Sequence, residues 1–254
     1  MGRSSDNKDA GAMIEQALAP IDVQGLTVLE AGTGAGRMTR YLAEHGARWV
    51  ASVSNEWEHL EYARNRTPEE LQSRIGYLLA DLRSLAMMPS ETFDLATAHF
   101  LLSVTGPIDG LKILHELFRV LREGGRLVII EYAPFYPSTS STSWIQQEYW
   151  RLENALGVLL TGKPSYTEYP SDWLADHLEC LGFADVECVR IAENIRWPSE
   201  LLLEHAEEIR EDLAKLRHEL LRRAFREQLE RLVEAGRDVD VRSGAVYALY
   251  ATKS

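Results

Sequence analysis

Seven residues, Glu30-Ala31-Gly32-Thr33-Gly34-Ala35-Gly36, set three glycines at alternate positions behind a carboxylate. Glycine lets the backbone turn through positive φ and lets a ligand approach with no Cβ in the way. The apolar run Leu26–Glu30 in front of the motif reads as a strand. Gly36–His45 behind it reads as a helix, with Met38, Tyr41 and Leu42 at helical spacing. Such a helix start offers N–H groups and positive dipole character to a carboxylate or phosphate. Dinucleotide turns space their glycines G-x-G-x-x-G so that the pyrophosphate meets the helix end. Here the spacing is G-x-G-x-G, and a carboxylate at the strand tip would repel a pyrophosphate while attracting an ammonium group. The turn therefore favours an amino-acid-like, cationic ligand. A tight turn that holds nothing is the competing structural reading.

Three further groups follow apolar runs in the same way. Ser54, Asn55 and Glu56 come after Trp49–Val53, Asp81 after Ile75–Ala80, and His99 after Phe93–Ala98. His99 is the one imidazole expected at such an edge and the first candidate base, set against an ordinary structural histidine. A capping role competes for Asp81. Helical patterns separate the runs at Trp57–Arg66 and Leu111–Leu121, the latter ended by Glu123-Gly124-Gly125. Arg126–Glu131 is a fifth strand with the continuous apolar run of one buried on both faces. Strand, helix, strand at this spacing predicts parallel βαβ units and a doubly wound α/β sheet.

Beyond Glu131, Pro134–Ser143 reads as a loop, Trp144–Leu160 and Asp172–Leu181 as helices, and Val186–Ile191 and Gly244–Thr252 as strands. Ser199–Ala235 contains no Gly or Pro and reads as one long helix or two abutting ones. Its stripe of Ile209, Leu213, Leu216 and Leu220, continued by Leu221, Phe225, Leu229 and Leu232, suits core packing or a homodimer seam. The 254 residues form one domain on this reading, with helical cap elements at about 134–170 and 199–235.

A formal charge of −12 argues against a broad nucleic-acid-binding face. Two cysteines, Cys180 and Cys188, build neither a disulfide framework nor a structural zinc site, and no metal is expected. The polar start MGRSSDNKDA lacks a signal-peptide core and no run is long enough to span a membrane. A cytoplasmic location is expected.

The segments VLEAGTGAGRMTRYL, ASVSNEWEHLEYAR, LLADLRSL, FDLATAHFLLSV and LFRVLREGGRLVIIEY, in that order, resemble the class I S-adenosylmethionine-dependent methyltransferases. The resemblance runs from Leu26 to Glu131 and returns at the last strand. It implies a Rossmann-like sheet of seven mostly parallel strands in the order 3-2-1-4-5-7-6, the seventh antiparallel. It implies S-adenosyl-L-methionine as cofactor, with Glu30, Ala31, Gly32, Gly34 and Gly36 around its methionine part, Asp81 and Leu82 at the adenine, and Ala98 and His99 on the methyl-bearing side.

The chain departs from the family at the ribose. Ser54 stands where an acid usually grips the hydroxyls, so either Glu56 replaces it or Ser54 and Asn55 bind neutrally. No Asn/Asp-Pro-Pro-Tyr motif follows the fourth strand, where His99-Phe100-Leu101-Leu102 stands. That argues against methylation of amino groups on DNA bases or glutamine. Phe135, Tyr136, Trp144, Tyr149, Trp150, Tyr166, Tyr169 and Trp173 read either as ordinary packing of a helical cap or as walls for a flat or apolar acceptor, or for a cation over a ring. Methyl transfer asks the protein to position two atoms and exclude water, so caps that close over the strand ends are expected to act as a lid. A small apolar, aromatic or carboxylate acceptor is the expected substrate. A protein methyltransferase for a basic peptide end or lysine and a non-catalytic cofactor-binding module are the alternatives.

Overall fold

The computed structural model describes residues 8–134 and 140–254. The elements run α1 (Lys8–Leu18), β1 (Thr27–Ala31), α2 (Arg37–Glu44), β2 (Trp49–Ser54), α3 (Trp57–Asn65), α4 (Glu69–Gln72), β3 (Ile75–Leu79) and β4 (Phe93–His99). They continue with α5 (Pro107–Val120), β5 (Leu121–Tyr132), α6 (Ser143–Thr161), α7 (Ser171–Leu181), β6 (Phe183–Trp197), α8 (Ser199–Lys215), α9 (Glu219–Gly236) and β7 (Val241–Lys253). A 3-10 turn, Leu102–Val104, lies between β4 and α5.

Seven strands form one sheet in the order β3-β2-β1-β4-β5-β7-β6. The pairs among β1 to β5 are parallel, and β7 runs antiparallel to β5. The order and the direction of the last strand are those the resemblance implies. Central strands are apolar on both faces because helices cover both. Val28, Leu29, Val50, Val53, Leu95, Ala96 and Leu127–Ile130 are all buried. Leu114 and Leu117 of α5 and Leu42 of α2 supply the helical side of this core.

Strand and helix positions match the sequence reading closely, with three instructive differences. Helix α1 has no counterpart in that reading, although Met13, Ile14, Ala17 and Leu18 are buried at helical spacing. Helix α5 starts four residues early because Pro107 opens its first turn, where a missing N–H costs nothing. Strand β6 extends well past Val186–Ile191, since an edge strand with half its residues exposed carries a weak apolar signal.

By contact the chain divides into two compact units. A sheet unit comprises residues 10–132, 169–191 and 246–254. A helical unit holds residues 133–134, 140–168 and 192–245, with α6, α8 and α9 packed on one another. Ser199–Ala235 is thus two helices, parted at Leu216-Arg217-His218. Ile209, Leu213, Leu216, Leu229 and Leu232 are buried in this unit, while Leu220 and Leu221 stay exposed.

Candidate active site

Parallel pairing brings the carboxyl ends of β3, β2, β1, β4 and β5 to one edge of the sheet unit. Ala31 is in register with Val53 and Ala98, Ser54 with Leu79, and His99 with Ile130. The connecting backbone extends the alignment. The N–H groups of Gly32 and Thr33 both donate to Val53 O at 3.0 Å, Ala80 N donates to Ser54 O, and Phe100 N to Ile130 O. Ligands of open α/β sheets bind along this edge.

Gly32, Gly34 and Gly36 all have positive φ, of 90°, 47° and 70°. They serve different ends. A Cβ on Gly36 would sit 2.5 Å from Ala63 Cβ of α3, so this glycine allows helix to pack on helix. A Cβ on Gly34 would meet nothing within 4 Å, so at this exposed position the backbone presents an open cradle. Beneath the turn, Glu30 is 2% exposed. Its Oε2 accepts from Thr39 Oγ1 and from Ser52 Oγ (2.7 Å), and Ser52 Oγ also contacts Thr33 Oγ1 at 2.8 Å. Burial pushes the Glu30 carboxyl up to about 7, against the lowering effect of those hydroxyls. The side chain expected to face an ammonium group thus ties β1, the turn, α2 and β2 together from within, beside the buried Ala31.

At the end of β2, Ser54 is buried and its Oγ accepts the Glu56 N–H at 3.1 Å. Asn55 is exposed. Glu56 precedes the first turn of α3, its side chain half exposed and 3.6 Å from His59 Nε2. The hydroxyl is therefore occupied by the chain, and the carboxylate of the three, half exposed beside His59, is that of Glu56. Past β3, Leu82 is buried while Asp81 is exposed. Asp81 pairs with Arg83 through both carboxylate oxygens, at 2.9 Å from Nε and 2.7 Å from Nη2. Arg83 reaches on to Asp109 at 3.1 Å, and its hydrogen bonds hold the Asp81 carboxyl below the usual range. The D-x-R spacing was the available signal for Arg83, which the sequence reading passed over.

Ala98 is buried at the end of β4, and His99 follows it. His99 Nε2 is sealed from solvent and has no hydrogen-bond partner among the described residues. Burial, helped by the nearby Arg37 charge, lowers the imidazole pKa to about 4, so the ring is neutral near pH 7. Phe100 sits at a φ of 51° and stacks on Tyr132, with ring centroids 4.1 Å apart, and against His99 at 4.3 Å. Positive φ at an aromatic residue is costly and marks a constrained turn. Glu131 supplies the constraint. Its Oε1 accepts the N–H groups of Leu102 (2.6 Å) and Ser103 (3.3 Å), while Oε2 has no partner and burial lifts the carboxyl to about 7.

The described aromatic residues divide between the two units. Tyr169 and Trp173 belong to the sheet unit, 5.3 Å apart, with Tyr169 Oη donating to Thr105 O. Trp144, Tyr149, Trp150 and Tyr166 belong to the helical unit, where Trp150 contacts Tyr166 and Trp197. Phe135 and Tyr136 lie outside the described residues. Cys180 and Cys188 are free and exposed. A separate hollow lined by Gln16, Arg126, Asp185, Glu187 and Tyr250 sits by the opposite end of β5 and holds none of the expected groups. No helix among the described residues is long and apolar enough to cross a membrane.

The strand-end groups suit S-adenosylmethionine in chemistry: an open glycine backbone, two exposed carboxylate acceptors and an unpartnered buried nitrogen beside an aromatic shelf. The family described as "Methyltransferase domain" matches residues 29–129. The chain is 32% identical over 185 residues to a demethylmenaquinone methyltransferase of Clavibacter sepedonicus, covering 68% of this chain and 70% of the relative. It is 30% identical over 175 residues to an S-adenosyl-L-methionine-dependent Diels-Alderase of Talaromyces variabilis, covering 67% of this chain and 57% of the relative. The first curated relatives are matched over 48% to 70% of their own lengths. Among solved structures, the [4+2]-cyclase SpnF superposes over 100% of this chain and 85% of its own with a TM-score of 0.60 at 19% identity, which is a likeness of fold. The chain belongs to the class I S-adenosylmethionine-dependent methyltransferases.

Proposed function

We propose that this chain methylates a small apolar, aromatic or carboxylate-bearing acceptor. What supports the reading is the alignment, at adjacent strand ends, of the open turn at Gly34, the carboxylates of Glu56 and Asp81, and the unpartnered Nε2 of His99. The cofactor supplies an electrophilic methyl group on a sulfonium. Gly34 lets its amino-acid part approach the backbone, with Gly32, Gly36 and Ala31 shaping the turn. Glu30 holds that turn rigid. Glu56 takes the ribose contact that Ser54 cannot make, leaving Ser54 and Asn55 to shape the loop. Asp81 and the Leu82 backbone receive the adenine, with Arg83 fixing the carboxylate. Ala98 leaves room beside the methyl group. Once the site opens to it, His99 Nε2 hydrogen-bonds the acceptor and takes its proton where the acceptor is protonated, acting as a weak base because burial holds its pKa low. Phe100 and Tyr132 give a flat acceptor a stacking surface. The demethylmenaquinone methyltransferase relative supports an aromatic acceptor. The free, exposed cysteines fit a reducing, cytoplasmic setting.

A second reading comes from the Diels-Alderase relative: the same site holds the cofactor and shapes a ring closure. One experiment separates the readings. The purified chain is incubated with methyl-labelled cofactor and fractionated cell extract. Label in small molecules supports methylation of a small acceptor, and label in protein overturns it in favour of a protein substrate. A new product of unchanged mass supports ring closure. Calorimetric binding of the cofactor with no product of any kind leaves a binding module.

A further inference from the structure

The helical unit holds a group of side chains that the methyl-transfer chemistry does not use. Glu153 of α6 reaches His205 of α8, with Oε1 3.0 Å from Nδ1, and Glu208 stands one turn further along α8. One ligand atom from each of the three lies within 4.8 Å of the others. All three residues belong to the same compact unit.

The simplest account is a protonated histidine paired with a carboxylate. That account leaves an atom over. Glu153 is 9% exposed, and its second oxygen, Oε2, is buried with no hydrogen-bond partner among the described residues. A buried carboxylate oxygen with no partner has lost its hydration without replacement, so a cation that accepts its lone pair relieves a real deficit. Two further residues on the same face of α6 share this condition. Tyr149 and Gln146, four and seven residues earlier, are 2% and 1% exposed, and neither the Tyr149 hydroxyl nor either Gln146 polar atom has a partner there.

We propose that Glu153, His205 and Glu208 form a binding site for one first-row divalent cation, of the zinc class. The spacing is within reach. Ligand atoms held at about 2.0–2.2 Å by a tetrahedral metal lie about 3.3–3.6 Å from one another, so the three side chains, whose atoms lie within 4.8 Å, close the site by rotamer adjustments of up to roughly an ångström. His205-x-x-Glu208 sets two ligands one helical turn apart on α8, and Glu153 adds the third from a helix packed against it. Two carboxylates balance the charge of a divalent ion. One imidazole favours zinc, cobalt or nickel over calcium, magnesium and manganese, which take oxygen-rich sets. Three protein ligands leave coordination positions open to water or an oxygen-donor ligand. The metal would pin α6 to α8 within the helical unit.

The test uses the full chain, free of affinity tag and stripped with chelator, titrated with Zn2+ alone by calorimetry and with Co2+ by visible absorption. One saturable equivalent is expected, weakened at least tenfold by Glu208→Gln and by His205→Ala and unchanged by Glu204→Gln on the next position of α8. Glu208→Gln leaves the Glu153–His205 contact in place, so it reads out even if His205→Ala fails to fold. Zn2+ should also raise the melting temperature of the wild type and not that of Glu208→Gln. Absence of saturable binding, or binding of equal strength in Glu208→Gln and wild type, overturns the site and leaves the ion pair.

Discussion

The side chains at the strand ends divide into those that hold the protein and those left for a ligand, and substitutions tell them apart. At Gly34 a methyl group meets open space, so Gly34→Ala costs stability only the left-handed backbone penalty of about 1–2 kcal/mol. The same methyl stands where the backbone faces solvent. Calorimetry should therefore show cofactor affinity falling at least tenfold while the protein stays folded, and Asp81→Ala should do likewise. Unchanged affinity in both would sink the cofactor assignment. Glu56→Gln should weaken cofactor binding by roughly 1–3 kcal/mol, the scale of a hydrogen bond to a charged group. Ser54→Ala should cost stability instead, because its hydroxyl accepts the Glu56 N–H. A larger binding loss in Ser54→Ala than in Glu56→Gln would show that the hydroxyl, not the carboxylate, meets the ribose. The types and positions of these residues are legible in the sequence, but their division of labour is not. Glu30 shows why. Its hydroxyl partners, Thr39 and Ser52, face it only once α2 docks and β1 pairs with β2 in a given register.

At the scale of elements, the glycine turn works because two helices pack where it lets them. Gly36 lies against Ala63 of α3, and a Cβ there would approach to 2.5 Å in a backbone already at φ 70°. Gly36→Ala should cost roughly 2–5 kcal/mol, the sum of left-handed strain and overpacking, read as a lowered urea midpoint. A stability loss equal to that of Gly34→Ala would mean that α3 yields freely. Most elements were legible because parallel strands buried on both faces read as continuous apolar runs, and the helices between them keep their period. Helix α1 escaped notice because its polar start hides four buried residues. The break between α8 and α9 has no glycine or proline to mark it, and only the buried Leu216 and capping His218 show where the chain turns. The turn after β4 was the least legible element. Its strained Phe100 is held by Glu131, a residue about thirty positions away, and no local pattern announces that contact.

For the whole molecule, three buried titratable groups make stability depend on pH in opposing senses. Glu30 and Glu131 titrate near 7 when folded, against 4.5 for an ordinary carboxyl. Between those values the folded chain keeps protons that the unfolded chain has lost, so these two groups make stability fall as pH rises, until the loss is complete above about 7. His99 works the other way. Its folded pKa of about 4 lies below the ordinary 6.5, so its contribution is present above 6.5 and is lost as pH falls toward 4. In the shared window two carboxyls oppose one imidazole, and the wild type should show a shallow pH dependence that hides larger parts. Single substitutions expose them. In urea unfolding followed by tryptophan fluorescence, Glu131→Gln should gain stability relative to wild type on going from about pH 5 to pH 8. His99→Gln should gain relative to wild type on going from about pH 7 down to pH 4. Each relative change should be of the order of 1–3 kcal/mol, the scale set by the distance of each folded value from its ordinary one. The Glu131→Gln arm also bears on the turn after β4, since an amide oxygen can still accept the Leu102 N–H while carrying no ionisable proton. If both variants track the wild type in parallel across the range, Glu131 and His99 have ordinary pKa values in the folded chain. At an ordinary value of about 6.5 the His99 imidazole would still be mostly neutral at pH 7 and closer to the working pH as a base. Its burial in an uncharged setting, and not its part in accepting a proton, would then have to be given up.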